Sequence, residues 1–137
     1  MRRARYVLTA RAAADLREAR AWSRARWGKD LTNRYFDDLH RGVQLIAENQ
    51  LTLVREERAG RTDLLVYPVR EHYVVYEPLD ERFIAVVAVI RQGRDLPAIL
   101  RKWSILIRRE LLEIRGRIER GETPLPKASA VKGRRRA

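Results

Sequence analysis

A chain of 137 residues with no cysteine is long enough for one modest core, and it excludes both a disulfide framework and a thiolate metal site. The formal net charge of +12 suits a polyanionic partner, and it is concentrated late: residues 101–137 hold 12 Lys+Arg against 4 Asp+Glu. The basic N-terminus lacks a signal-peptide core, no run of about 18 apolar residues is present, and His40 and His72 stand far apart, so the expectation is a cytoplasmic protein with no membrane anchor, metal or cofactor.

Arg5–Leu8, "RYVL", is short and β-prone and reads as a first strand. Thr9 then suits the N-cap of a helix reaching about Trp27. Its stripe of Ala13, Leu16, Arg20, Ser23 and Trp27 is narrow and alanine-rich, so the helix can approach a neighbour closely. Gly28 breaks it. A second helix from Lys29 to about Asn49 carries an apolar face of Leu31, Tyr35, Leu39, Val43 and Ile46, with Asp30 in the first turn where the helix dipole favours a carboxylate. The two helices make a hairpin that must bury its stripe on something else.

Three strands supply that surface: Leu64–Val69, His72–Glu77 and Phe83–Ile90. Their links are short, which implies an antiparallel meander. "FIAVVAVI" is apolar on both faces and belongs at a sheet's centre. Tyr73 and Tyr76 face opposite sides of their strand, so one packs under the helices and the other faces an open surface. The order is β-α-α-β-β-β, an α+β fold with the first strand beside a later one and helices on one face. Asp95 and Pro97 open a further helix of about 24 residues, with Ile99, Trp103, Leu106, Ile107, Glu110, Leu111, Ile114 and Ile118 near one face. The expected organisation is a domain over 1–100, a helical extension over 101–121 and a basic disordered tail over 122–137.

The series "YVLTARAAADL", Trp27–Gly28, "RYFDDL" from Arg34 to Leu39, and "YPVREHYVVYEPLDERFIAVVAVIRQGRD" resembles the ParE/RelE superfamily of bacterial toxins over roughly residues 5–100. The resemblance implies the toxin of a type II toxin–antitoxin pair. Its RelE branch cleaves messenger RNA on the ribosome; its ParE branch poisons DNA gyrase. It further implies a ParD-like antitoxin whose acidic C-terminal segment wraps the toxin, here assigned to Leu16, Trp22, Trp27 and Tyr35. Trp22 and Trp27 are otherwise expected in the hairpin core.

Metal-free RNA cleavage needs a base, an acid and cations near one phosphate. Arg61, Arg70, Arg91 and Arg94 offer cations, but arginine stays protonated and cannot act as a base. Glu56 or Glu57 as base and His72 as acid, with Arg70 and Arg91 on the phosphate, is the only nuclease set available. That set reads as incomplete, so the expectation is a gyrase poison with Arg61, Arg70, Tyr76, Arg91 and Arg94 as the target-binding surface. The alternatives are a ribosome-dependent endoribonuclease and a basic nucleic-acid-binding module without toxicity. For the long C-terminal helix three roles compete: packing across the sheet, forming an oligomer, or meeting DNA through Arg101, Lys102, Arg108, Arg109, Arg115 and Arg117. Packing is the leading one.

Overall fold

The computed structural model describes residues 5–49, 57–58 (backbone) and 64–122. Its elements are β1 (Arg5–Leu8), α1 (Ala10–Trp27), α2 (Lys29–Glu48), β2 (Glu57–Arg58), β3 (Leu65–Val69), β4 (His72–Asp80), β5 (Phe83–Arg91) and α3 (Leu96–Glu119). The expected α+β order is present, with the short β2 added. The tail expected over 122–137 lies outside the described residues beyond Glu122. The boundary expected after residue 100 falls inside α3.

Local chemistry sets the boundaries. Thr9 Oγ1 accepts the Ala12 N–H at 3.2 Å and so caps α1. Gly28, at φ 86, adopts the left-handed backbone that turns α1 into α2. Asp80 Oδ1 accepts the N–H groups of Arg82 and Phe83 at 2.8 and 3.0 Å, which closes the β4–β5 turn. Burial alone would raise the Asp80 pKa, but those bonds and the Arg82 side chain outweigh it and hold the carboxyl below its ordinary value. Asp95 accepts from Ala98 and starts α3.

The sheet order is β1-β5-β4-β3-β2. The β2–β5 meander is antiparallel, as expected. β1 pairs with β5 in parallel, because the hairpin carries the chain back before the meander begins, so the sheet is mixed. Phe83 to Ile90 are all buried, as suits the strand that has neighbours on both sides.

Helices cover both faces rather than one. The hairpin packs Ala12, Tyr35, Phe36, Leu39, Val43 and Ile46 on one face, with Val74, Tyr76, Ile84, Val86 and Val89 beneath them. On the other face α3 packs Leu100, Ile107 and Leu111 over Val66, Val75, Ala85, Val87 and Ile90. Packing across the sheet is therefore what α3 does. Glu110 also accepts the Ala10 N–H at 2.8 Å, and the Arg11 guanidinium lies 4.6 Å over the Trp103 ring, so α3 grips α1 as well.

The inward line of α1 differs from the expected stripe. Ala12, Asp15 and Ser23 are buried, whereas Trp22 and Trp27 are 40% and 42% exposed and are not hairpin core. The reason lies on β5. β1 ends opposite Val86, leaving the rest of that strand edge uncovered. Side chains of the Thr9 cap and α1 continue the ladder: Thr9 Oγ1 donates to Val87 O at 3.1 Å, and Asp15 Oδ2 accepts the Val89 N–H at 3.0 Å. In α2, Tyr35, Leu39, Val43 and Ile46 face inward as expected, joined by Thr32 and Phe36, while Leu31 turns out.

Candidate functional site: a cationic and aromatic cavity at the end of the sheet

β3 and β4 are joined by the two-residue turn Arg70–Glu71, and His72 stands opposite Arg91 in the β4–β5 register. This brings the turn, the start of β4 and the end of β5 to one place. Arg70 sits at φ 55, a region that costs a residue with a side chain about 1 kcal/mol. It is held there by Asp38 of α2 at 2.7 Å and by the Tyr35 ring, 4.7 Å from the guanidinium carbon. Gln92 ties β5 to the same turn. Its backbone N–H donates to Glu71 O at 3.0 Å, and its side chain donates to Arg70 O at 3.0 Å.

Tyr35 is the hub below the turn. Its Oη lies 2.7 Å from His72 Nδ1 and accepts the Glu71 N–H at 3.1 Å. Burial pushes the Tyr35 hydroxyl pKa up. Burial, then the positive charge of Arg91, pushes the His72 pKa down, against a smaller opposing pull from Glu71. Both effects favour the neutral imidazole, and its Nδ1 is paired with the Tyr35 hydroxyl.

Above this hub the end of α1 presents its two tryptophans edge to face, with centroids 5.3 Å apart. The Arg91 guanidinium lies 4.7 Å over the Trp22 ring, and Arg26 lies 4.8 Å over the same ring. Arg91 and Arg94 are exposed and, among the described residues, neither has a carboxylate within ion-pairing distance. Trp22, Trp27, Tyr35, His72, Arg91 and Arg94 line a cavity of about 390 Å³, together with Arg11 and the carboxylates of Asp15, Glu18 and Glu71.

The expected site residues thus divide. Arg91 and Arg94 come together with Trp22, Trp27 and Tyr35, which had been assigned to a different partner. Arg70 stands beside them but is occupied by Asp38. Tyr76 does not belong to any surface: it is fully buried beneath the hairpin, because it shares a sheet face with Val74, while Tyr73 packs on the α3 side. Arg61 and Glu56 lie outside the described residues. Glu57 pairs with Val66, which pairs with Val75, so its backbone position is two strand spacings and three residues from His72, roughly 14 Å. Gln92 and the Tyr35–His72 contact went unread; a tyrosine on the inward face of α2 and a histidine opening a strand were the only signals.

Leu16 lines a second, more apolar cavity of about 390 Å³ between α1, α2 and β1, with Ala13, Phe36, Val43, Arg17 and Arg20. Tyr6 and His40 are hydrogen-bonded at its edge. Among the described residues no group of His, Cys, Asp or Glu is arranged to hold a metal, and no helix is long and apolar enough to cross a membrane.

Comparison with known proteins accords with this geometry. None of the curated proteins compared matches the chain. A chain from the chromosomal ParDE TA system of P. aeruginosa shares the fold, with a TM-score of 0.53 at 14% identity, and the match covers 64% of this chain and 95% of that one. The family model described as "ParE toxin of type II toxin-antitoxin system, parDE" matches residues 6–96 and so stops where α3 begins. That match takes in the hairpin and the meander and covers more than half of the chain, which therefore belongs to the ParE toxin family of type II toxin–antitoxin systems.

Proposed function

We propose that the protein inhibits DNA gyrase in the cytoplasm through the sheet-end surface formed by Arg91, Arg94, Trp22 and Trp27. A cognate ParD-like antitoxin with an acidic C-terminal segment neutralises it by docking on the hairpin at the cavity that Leu16 lines. The toxin unit is residues 1–100, with the rest of α3, from residue 101 on, as an extension seated on it. The observation that carries the reading is the contrast inside one cavity. Among the described residues, two guanidiniums stand without carboxylate ion-pair partners, next to an imidazole whose pKa is lowered by burial and Arg91 and which is tied to Tyr35. Such a surface binds anions and aromatic or acidic protein groups, while among the described residues its imidazole is biased away from the charged form that would protonate a leaving oxygen.

The test is a gyrase supercoiling reaction titrated with purified protein. Inhibition with accumulation of cleaved DNA, relieved by the neighbouring-gene antitoxin, is expected. Undisturbed supercoiling at toxin in excess of gyrase overturns the reading.

One observation favours a second reading, ribosome-dependent messenger RNA cleavage. Tyr35, Glu71, His72 and Arg91 line the same cavity, and a neutral imidazole can accept a proton. Messenger RNA cut on translating ribosomes, and spared by His72→Gln, would select it.

A further inference from the structure

α3 has a second face that the fold leaves without a partner. Leu100, Ile107, Leu111 and Ile114 turn inward, whereas Ile105 and Leu112 are 73% and 68% exposed. Seven residues separate them, so they stand about 10 Å apart along the axis and within about 20° of one another around it. Arg101 and Arg108 lie within about 60° on one side of this ridge, and Lys102 and Arg109 within about 60° on the other. All four are exposed, and among the described residues none is in an ion pair. Glu110 is turned away to the N-terminus of α1, and Glu113 lies beyond Arg109.

An apolar ridge repeating every seven residues, with cations along both flanks, has the form of one half of a helix pair. Its complement is a helix with apolar residues at the same spacing and glutamates on the flanks. A second copy of this chain fits badly, because a two-fold contact sets the four cations against their own equivalents. A nucleic-acid backbone would satisfy the cations but press Ile105 and Leu112 against phosphates. A membrane-surface helix buries a broad continuous apolar face, whereas here Lys102 and Arg109 stand between the ridge and Leu106, which is 52% exposed and about 100° around the axis.

We propose that the outer face of α3 is a docking site for an acidic amphipathic helix of a partner protein. Ile105 and Leu112 seat between the partner's apolar residues, and Arg101, Lys102, Arg108 and Arg109 pair with its glutamates. The face lies beyond the residue where the family match ends and opposite the hairpin, so the site is independent of the gyrase reading.

The test uses the full chain and a fluorescein-labelled 21-residue helical peptide with leucine at the heptad core positions and glutamate on the flanks, followed by anisotropy. A counterpart with lysine on the flanks is the control. The acidic peptide is expected to bind and the lysine peptide not. The double variant Ile105→Ser/Leu112→Ser is expected to weaken binding about tenfold or more, and so is Arg101→Glu/Arg108→Glu. Because these positions are exposed, circular dichroism of both variants should match the parent. Peptide binding that Ile105→Ser/Leu112→Ser leaves unchanged overturns the proposal. So does tighter binding of duplex DNA or of phosphatidylglycerol vesicles through the same four cations, or a parent dimer that Ile105→Ser/Leu112→Ser dissociates.

Discussion

The Glu110 carboxylate accepts the backbone N–H of Ala10 at 2.8 Å, so the last helix closes the first turn of the first one, a hundred residues away. The contact supplies what that turn lacks, since α1 carries no acidic residue there. Glu110→Ala should lower stability by about 1 kcal/mol in urea unfolding. Ending the chain at residue 95 should do far more. It uncovers Val66, Val75, Val87 and Ile90 on one sheet face, and the product should be insoluble or unfolded. A soluble, fully toxic fragment would show that α3 is not part of the core.

Asp15 completes the β5 ladder at a measurable cost. Burial raises its pKa, and the bonds from Val89 and Arg11 offset only part of that. A carboxyl whose folded pKa exceeds its unfolded value of 3.8 loses stability as pH rises between the two. Relative to Asp15→Asn, the parent should therefore gain stability as pH falls from 7 toward 4. Asp15→Ala, which leaves the Val89 N–H buried and unpaired, should cost about 1–3 kcal/mol at pH 7 and more as pH falls. Urea unfolding across pH measures both.

His72 has the opposite sign. Burial and Arg91 lower its folded pKa below 6.5, so its contribution is full above that value and is lost as pH falls through and below it. His72→Gln should flatten the stability profile just below pH 6.5. A parent and variant with parallel profiles there would mean that His72 is freely solvated.

Two substitutions test the packing of α2. A Cβ on Gly42 would stand 2.5 Å from Val69 Cγ1 on β3, so Gly42→Ala should destabilise by about 1–3 kcal/mol despite the better helix former. Thr32 is fully buried and, among the described residues, its Oγ1 has no hydrogen-bond partner, so Thr32→Val should be neutral or stabilising. Thermal unfolding distinguishes the two directions.

Much of the fold was legible because its signals are local. Gly28 between two helices, the apolar run Phe83–Ile90 and the Asp95 cap each fix their element with little help from the rest. What escaped depends on distant partners. Asp15 is buried because β1 stops short on β5, which no helical periodicity encodes. Trp22 and Trp27 stay out because α1 turns small and polar residues inward. Tyr76 was misplaced because a sheet covered on both faces leaves a tyrosine little open surface on either side. The cations of the site were readable as a cluster, since Arg91 and Arg94 end one strand. Their contacts with the α1 tryptophans were not, because these join elements nearly seventy residues apart.

The central claim is that the sheet end acts by binding rather than by moving protons. The half-inhibitory concentration for gyrase supercoiling, compared between Arg91→Ala and His72→Gln, tests it most directly. Arg91→Ala should raise that concentration about tenfold or more, through loss of the guanidinium seated on Trp22, while His72→Gln should leave it within about threefold of the parent. A His72→Gln variant that loses potency while Arg91→Ala keeps it would contradict the account.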